Sequence, residues 1–448
     1  MHIVTNILLL PSLFPNIIRG IIEHHRECHY NTPFVLIMSI IVFNFILERT
    51  LDILNSRKMS TNLPEELNDV YDKEQYKKSQ EYKKVNDRFS FLTSSFSFML
   101  IVLMLTFHVF GYFDAIARTF TSNPILVALL FFGFIMLASD IINTPFALYD
   151  TFVIEERFGF NTTTLRTFFL DKFKGWLIAA VLGGGVTSLI IWFYLLTKQM
   201  FWIYAWITVS AVMIFISMFY SSLIVPIFNK QTPLQDGPLR DAIQAFSVKV
   251  GFKLDNIFVI DGSKRSTKAN AYFTGLGSKK RIVLYDTLIN DLTTEEIVAV
   301  LAHEIGHYKK KHSLTGIILG IIQTGITLYI FSLFTVNYML STAMGVPVEN
   351  HSIHIVILAF GIIYSPISTV VGLALNILSR KHEYEADHYA KENFGANYLI
   401  SALKKLSSSS LSNLTPHPAY VFFHYSHPTL LQRVRALNKS SSVIPQNG

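Results

Sequence analysis

The run His303-Glu304-Ile305-Gly306-His307 sets two imidazoles and a carboxylate at spacings suited to metal-assisted hydrolysis. Residues four apart leave one face of a helix about one turn apart, so both histidines can reach a single cation while Glu304 points roughly 100° away. Zinc held there would lower the pKa of a bound water towards about 7, and a neighbouring carboxylate can take the proton as the water attacks a carbonyl. Such a pattern arises by accident in roughly 2 % of chains of this composition. Its surroundings supply the helix it needs. Thr293 and Glu296 have capping-box spacing, and Ile297, Val300, Leu301 and Ile305 recur with helical period. The spacing therefore predicts zinc-dependent hydrolysis with Glu304 as general base; the competing structural reading is a buried helix that merely carries two histidines.

Catalytic zinc takes three protein ligands and keeps one position open, so another residue must complete the set. The chain has one cysteine, Cys28, which leaves neither a disulfide framework nor a thiolate cluster. The remaining donors are nitrogen and oxygen. The run His382-Glu383-Tyr384-Glu385-Ala386-Asp387 lies in a helical stretch where Glu383 and Glu385 point about 200° apart, so only one of them can face the metal. Asp387 follows Glu383 by four residues on the same face and is suited to orient a ligating histidine. Glu383 is the leading third ligand, with His382 and Glu385 as alternatives.

Where these residues sit depends on the membrane. Of 448 residues 51 % are hydrophobic and only 15 % charged, far from a soluble average. Apolar stretches near 33–47, 89–113, 124–149, 175–196, 201–228, 313–341 and 353–378 predict seven transmembrane helices. Residues 1–23 are apolar but interrupted by Pro11 and Pro15, and they read as an interfacial segment rather than a cleaved signal. Lys and Arg crowd the connections after the first, third and fifth stretches and avoid the others. By the positive-inside rule the N-terminus lies outside or in a lumen, and the catalytic motifs face the cytoplasm. That topology and the anionic lipid surface account for the formal charge of +7, and nucleic-acid binding is not required.

The chain divides accordingly. Residues 1–228 form a helical bundle interrupted by a charged segment at 55–88, and 229–312 a soluble insertion carrying the metal helix. Residues 313–378 form a membrane hairpin, and 379–448 a tail that returns to the catalytic side. Within the insertion a strand is expected at Asn256 to Asp261. A hairpin is expected from Asn270 to Tyr285, turning through Gly275-Leu276-Gly277-Ser278. His108, Asp140 and Asn143 fall in apolar runs, where polar groups must face a bundle interior or water. Gly183-Gly184-Gly185 predicts close helix packing or a bend.

The chain resembles the integral-membrane zinc metalloproteases that include the type I CAAX prenyl proteases. The resemblance is carried by Ile154 to Asn161, Gly262 to Ser266, Asn270 to Phe273, Arg281 to Thr287, His303 to His307, Arg380 to Asp387 and His424 to Pro428. It implies that His303, His307 and Glu383 ligate one Zn2+, that Glu304 is the base and that Asp387 supports a ligand histidine. It also implies that Asn270 and His427 contact the substrate backbone, and that the seven-helix barrel encloses a water-filled chamber. A small α+β protease domain would close that chamber on the cytoplasmic side. Physically, a peptide could add to the edge of the 270–285 hairpin, and His427 could donate to a developing oxyanion, with His424 in reserve. The expected activity is cleavage near the C-terminus of a protein substrate, possibly prenylated, by a monomer in the bilayer. Quality-control cleavage of misfolded or translocon-stalled membrane proteins is the alternative. A non-catalytic scaffold or transporter is a third reading, which the intact Glu304 disfavours.

Overall fold

The computed structural model describes residues 31–59, 63–252, 257–274 and 281–439. Cys28, the 1–23 segment and the Gly275 to Ser278 turn lie outside them. The chain is mainly helical. Among the described residues five helical segments are long and apolar enough to cross a bilayer, and a pair bent by 55° makes a sixth candidate. In order these are α1 (Thr32–Arg57), α2 (Lys73–Thr106) and, after the short α3 (Val109–Phe120), α4 (Pro124–Tyr149), which continues to Phe158. A 64-residue segment, Leu165–Phe228, contains α5 (Leu165–Ile178), α6 (Gly184–Thr197) and α7 (Phe201–Phe219). It folds back on itself. Lys198 turns the chain with φ 51°, and Phe193 stacks on Tyr204 at 5.5 Å as α6 packs against α7. The two apolar stretches read separately from sequence are thus joined by the short turn Lys198–Met200.

The second apolar stretch ends earlier than its hydropathy suggests. The α2 helix stops at Thr106, and His108 adopts φ 54° before α3 begins. A close approach from far along the chain occurs here: a Cβ on Gly345, which itself has φ 79°, would lie 2.4 Å from the His108 Cβ. Of the other polar residues in apolar runs, Asp140 pairs with Lys172 at 2.7 Å and the Asn143 amide donates to the Ser139 carbonyl at 2.8 Å. At the triple glycine the helix makes a π-turn, Ala179–Gly183, and Gly183 and Gly185 have open space beside them. A Cβ on Gly184 would meet the Leu129 side chain at 3.8 Å, an ordinary contact. The polar segment before the second stretch is the solvated first half of α2, capped by the Asp72 carboxylate, which accepts from the Gln75 amide.

After the fifth apolar stretch comes a four-stranded sheet: β1 (Gln231–Pro233), β2 (Ile257–Ile260), β3 (Ala271–Thr274) and β4 (Arg281–Tyr285), in the order β1-β2-β4-β3. The expected hairpin is the antiparallel pair β3–β4, with Ala271 opposite Leu284. The parallel β2–β4 pairing was not expected, since it joins the strands on either side of β3 in sequence rather than sequence neighbours. It leaves β3 with one open edge. Helices α8 (Pro238–Lys249) and α9 (Thr294–Lys309) pack with the sheet in one core, where Ile243, Leu284, Ile297, Leu301 and Ile305 are buried.

The return through the membrane uses α10 (His312–Phe334), then α11 (Ile353–Ile363) and α12 (Ser365–Asn393), the last two forming the bent pair. Helix α12 runs unbroken for 29 residues from the bend towards the catalytic core. There it crosses α9 closely, because a Cβ on Gly306 would sit 3.1 Å from the Ala386 Cα and from the Tyr389 Cβ. The last elements among the described residues are α13 (Ala396–Ser409), α14 (Pro418–His424) and α15 (Leu430–Asn438).

Candidate active site

Helix α9 begins as its sequence requires. The Thr293 hydroxyl accepts from the Glu296 amide at 3.3 Å, and the Glu296 carboxylate accepts from the Thr293 amide at 2.8 Å. Its apolar stripe enters the core, so His303 and His307 emerge together where α12 crosses at Gly306. That crossing brings Glu383 to both. His303 Nε2 and His307 Nε2 are 3.2 Å apart; Glu383 lies 3.2 Å from His307 Nε2 through Oε1 and 3.5 Å from His303 Nε2 through Oε2. Among the described residues these three form the group able to hold a metal ion.

The donor set fits zinc. Tetrahedral bonds of about 2.0–2.1 Å put neighbouring ligand atoms roughly 3.3–3.4 Å apart, close to the edges of this triangle. Oε2 of Glu383 is buried and accepts no hydrogen bond from a described residue, as expected of an oxygen reserved for a cation. Charge agrees too. With the histidines neutral, as ligation requires, the carboxylates of Glu304, Glu383 and Asp387 face one guanidinium, Arg433, leaving two negative charges for one divalent ion to balance.

A second layer fixes the first. His303 Nδ1 lies 2.9 Å from the Asp387 carboxylate, which is 2 % exposed. Burial alone would lower the pKa of His303, but its contacts with Asp387 and Glu383 outweigh that and hold it up at about 9. Burial pushes the Glu383 and Asp387 carboxyls up, yet the adjacent histidines His303 and His307 for Glu383, and His303 and Arg433 for Asp387, keep both below their ordinary range. Both carboxylates stay ionised.

Arg433 has no place in the sequence reading. On α15 it grips Asp387 as a fork, Nε to Oδ2 at 2.9 Å and Nη2 to Oδ1 at 2.6 Å, with Nη1 3.6 Å from Glu383. A signal was available: Thr429 and Gln432 cap this helix as a second capping box, and Val434 and Leu437 bury the same side. A cation among buried apolar neighbours needs a buried anion.

The open face of the site is a cleft of about 370 Å³ whose lining includes Asn270, His303, Glu304, Glu383, His427 and Arg433. His427 Nε2 is 3.3 Å from Glu383, and its side chain is 61 % exposed. Its segment is tied to α12, where Asn376 donates to the Phe423 carbonyl at 3.0 Å and Arg380 to the Tyr425 carbonyl at 2.6 Å. Asn270 stands just before β3, its side chain accepting from the Ala271 amide at 2.8 Å. His424 turns away to Glu48 at 3.4 Å and is not among the cleft residues. Nor do His382 and Glu385 join the triangle: His382 stacks on His312, and Glu385 meets His312 at 2.9 Å.

The comparisons with known proteins agree with this geometry. Residues 52–230 match the family model described as CAAX prenyl protease N-terminal, five membrane helices, and 233–441 match peptidase family M48. The chain is 37 % identical to the CAAX prenyl protease 1 homolog of Dictyostelium discoideum, over 85 % of this chain and 91 % of that protein. It is 35 % identical to CAAX prenyl protease 1 of Saccharomyces cerevisiae, over 92 % and 96 %. The crystal structure of S. mikatae Ste24p superposes with a TM-score of 0.87 at 33 % identity, covering 91 % of this chain and all of that one. With the metal triangle, the fold and both halves of the sequence in agreement, the chain belongs to the CAAX prenyl protease 1 family of M48 metallopeptidases, a multi-pass membrane enzyme.

Proposed function

We propose that the protein is a zinc endopeptidase that cleaves near the C-terminus of prenylated CAAX-type proteins. His303, His307 and Glu383 hold one zinc per chain, and zinc so bound supplies Lewis acidity and an acidified water. Glu304 takes the proton from the attacking water. His427 donates to the oxyanion, Asn270 clamps the substrate main chain, and Asp387 orients His303. The observation that carries this reading is the shared cleft: His303 and Glu383 of the metal triangle line one space together with Glu304, Asn270, His427 and Ala271 of the edge strand β3. An extended peptide paired with that edge would lie across the triangle.

The rest of the architecture serves the same reading. Counting Leu165–Phe228 as two crossings and the bent pair as one gives seven helices, in line with a barrel around a wet chamber. The basic-residue pattern puts its protease end in the cytoplasm. Residues 1–228 and 313–378 build the barrel, and 229–312 with 379–448 build the catalytic end as one monomer, acting on peptides presented at the bilayer surface. In a Cys28→Ser background a cysteine at Val248 should be shielded from an impermeant thiol reagent in intact cells, and one at Val348 should react. The opposite labelling would place the site outside and remove cytoplasmic proteins from the substrates.

Main-chain pairing on β3 does not itself require a lipid, so an unprenylated substrate is the second reading. Incubation with farnesylated and unprenylated forms of one peptide separates them. The proposal expects kcat/KM for the farnesylated form to be higher by at least tenfold; equal values would favour quality-control cleavage.

Kinetics also divide the two substrate contacts. Loss of one oxyanion donor typically costs about 100-fold to 1000-fold in turnover, so His427→Ala should lower kcat by that much with zinc retained. A clamp that holds ground and transition states alike acts on KM, and Asn270→Ala should raise KM more than it lowers kcat. At least half of wild-type turnover in His427→Ala, or loss of its zinc, would remove the oxyanion role.

A further inference from the structure

His307 has a neighbour that neither the motif nor the shared cleft explains. Its Nδ1 lies 3.0 Å from Nδ1 of His312, and His312 Nε2 lies 2.9 Å from Oε2 of Glu385. Two ring nitrogens in contact share one proton, so one must donate and the other offer a lone pair. Nε2 of His307 faces His303 and Glu383. A zinc held by that nitrogen takes its lone pair, which puts the His307 proton on Nδ1. This fixes His312 in turn: Nδ1 accepts, and Nε2 carries its proton to Glu385. One arrangement of protons satisfies all three contacts.

The plane of His312 is fixed as well. It is 7 % exposed at the first position of α10, directly after Lys311 with φ 60°. The His382 ring stacks on it at 3.9 Å with the planes 7° apart. From this geometry we infer that His312 and Glu385 are positioning residues for the metal site, holding His307 with Nε2 presented to zinc, as Asp387 and Arg433 hold His303. Glu385 thus acts on the site through two imidazoles instead of as a ligand, and His382 acts by stacking. The inference rests on the zinc reading above.

The test measures zinc affinity of the purified full chain by competition with a chromophoric chelator. Removing an outer-layer partner of a ligand histidine typically costs about 10-fold to 100-fold in metal affinity. His312→Leu should fall in that range. His312→Asn, whose Oδ1 can accept near the place of Nδ1, should recover most of the loss, and Glu385→Ala should bind several-fold more weakly than wild type. A purely structural role would lower the melting temperature of the metal-free protein, leave affinity unchanged and show no rescue by asparagine. Affinity within twofold of wild type in His312→Leu, or an asparagine variant as weak as leucine, overturns the inference. Should His312→Leu not fold, Glu385→Ala decides by the same twofold limit. Glu383→Ala is the control: if it keeps full zinc, the metal reading itself is wrong, whereas if it loses zinc while the His312 series is unchanged, only the positioning role fails.

Discussion

Glu304→Gln is expected to lower peptidase turnover by about 100-fold to 10,000-fold, the usual contribution of a positioned base, while zinc stays near one per chain. The argument is geometric. Glu304 lines the cleft but is not part of the metal triangle. Glutamine keeps its shape and removes its capacity to take a proton, so ligands and fold should not respond. Glu383→Ala must behave differently, because two histidines alone are one ligand short of the usual set. Zinc measured in the same samples as turnover separates a missing base from a missing metal, and a Glu304→Gln enzyme at wild-type rate would end the assignment.

The second large effect is expected from a residue that touches no peptide. Arg433 is the cation that compensates Asp387, and both are buried, with side-chain exposures of 11 % and 2 %. Breaking a buried pair by removing one partner typically costs about 3–5 kcal/mol, because the survivor is left charged and unpaired. Arg433→Met should therefore destabilise the protein by about that much. Its effect on zinc should be smaller, since the lost positive charge had opposed the metal while the lost fork had aimed its support. Arg433→Lys keeps the charge without the planar fork and should fall between. In a double-mutant cycle, adding Asp387→Asn to Arg433→Met should cost far less than the two single losses together. Stability of Arg433→Met within about 1 kcal/mol of wild type would show that Asp387 is satisfied by His303 alone.

Local spacing made one half of this site legible. The capping box at Thr293, the stripe from Ile297 to Ile305 and the offset from His303 to His307 are properties of a single helix, and α9 forms as they require. The same logic paired Glu383 with Asp387 one turn apart on α12. What stayed hidden lies between elements. Arg433 meets Asp387 across 46 residues and Glu385 meets His312 across 73, contacts that no periodicity records. Hydropathy likewise counted apolar stretches but gave no sign that α2 would stop at Thr106, beside a glycine, Gly345, that arrives from elsewhere in the chain. The parallel β2–β4 pairing escaped for the same reason.

The bend between α11 and α12 gives the last membrane segment a mechanical meaning. Ser365 and Glu383 lie on one straight helix, about 27 Å apart at the usual rise. A helix of that length is a lever whose short end is in the bundle and whose long end carries a metal ligand. Tilting it by about 5° at the bend would swing Glu383 through about 2.4 Å, enough to open the triangle with His303 and His307. Two small contacts oppose that swing at the pivot, the Tyr364 hydroxyl against Thr327 at 2.9 Å and the Asn44 amide against Ser365 at 3.0 Å. Hydroxyl and amide contacts at the bend thus join the α9 crossing at Gly306 in holding Glu383 in place.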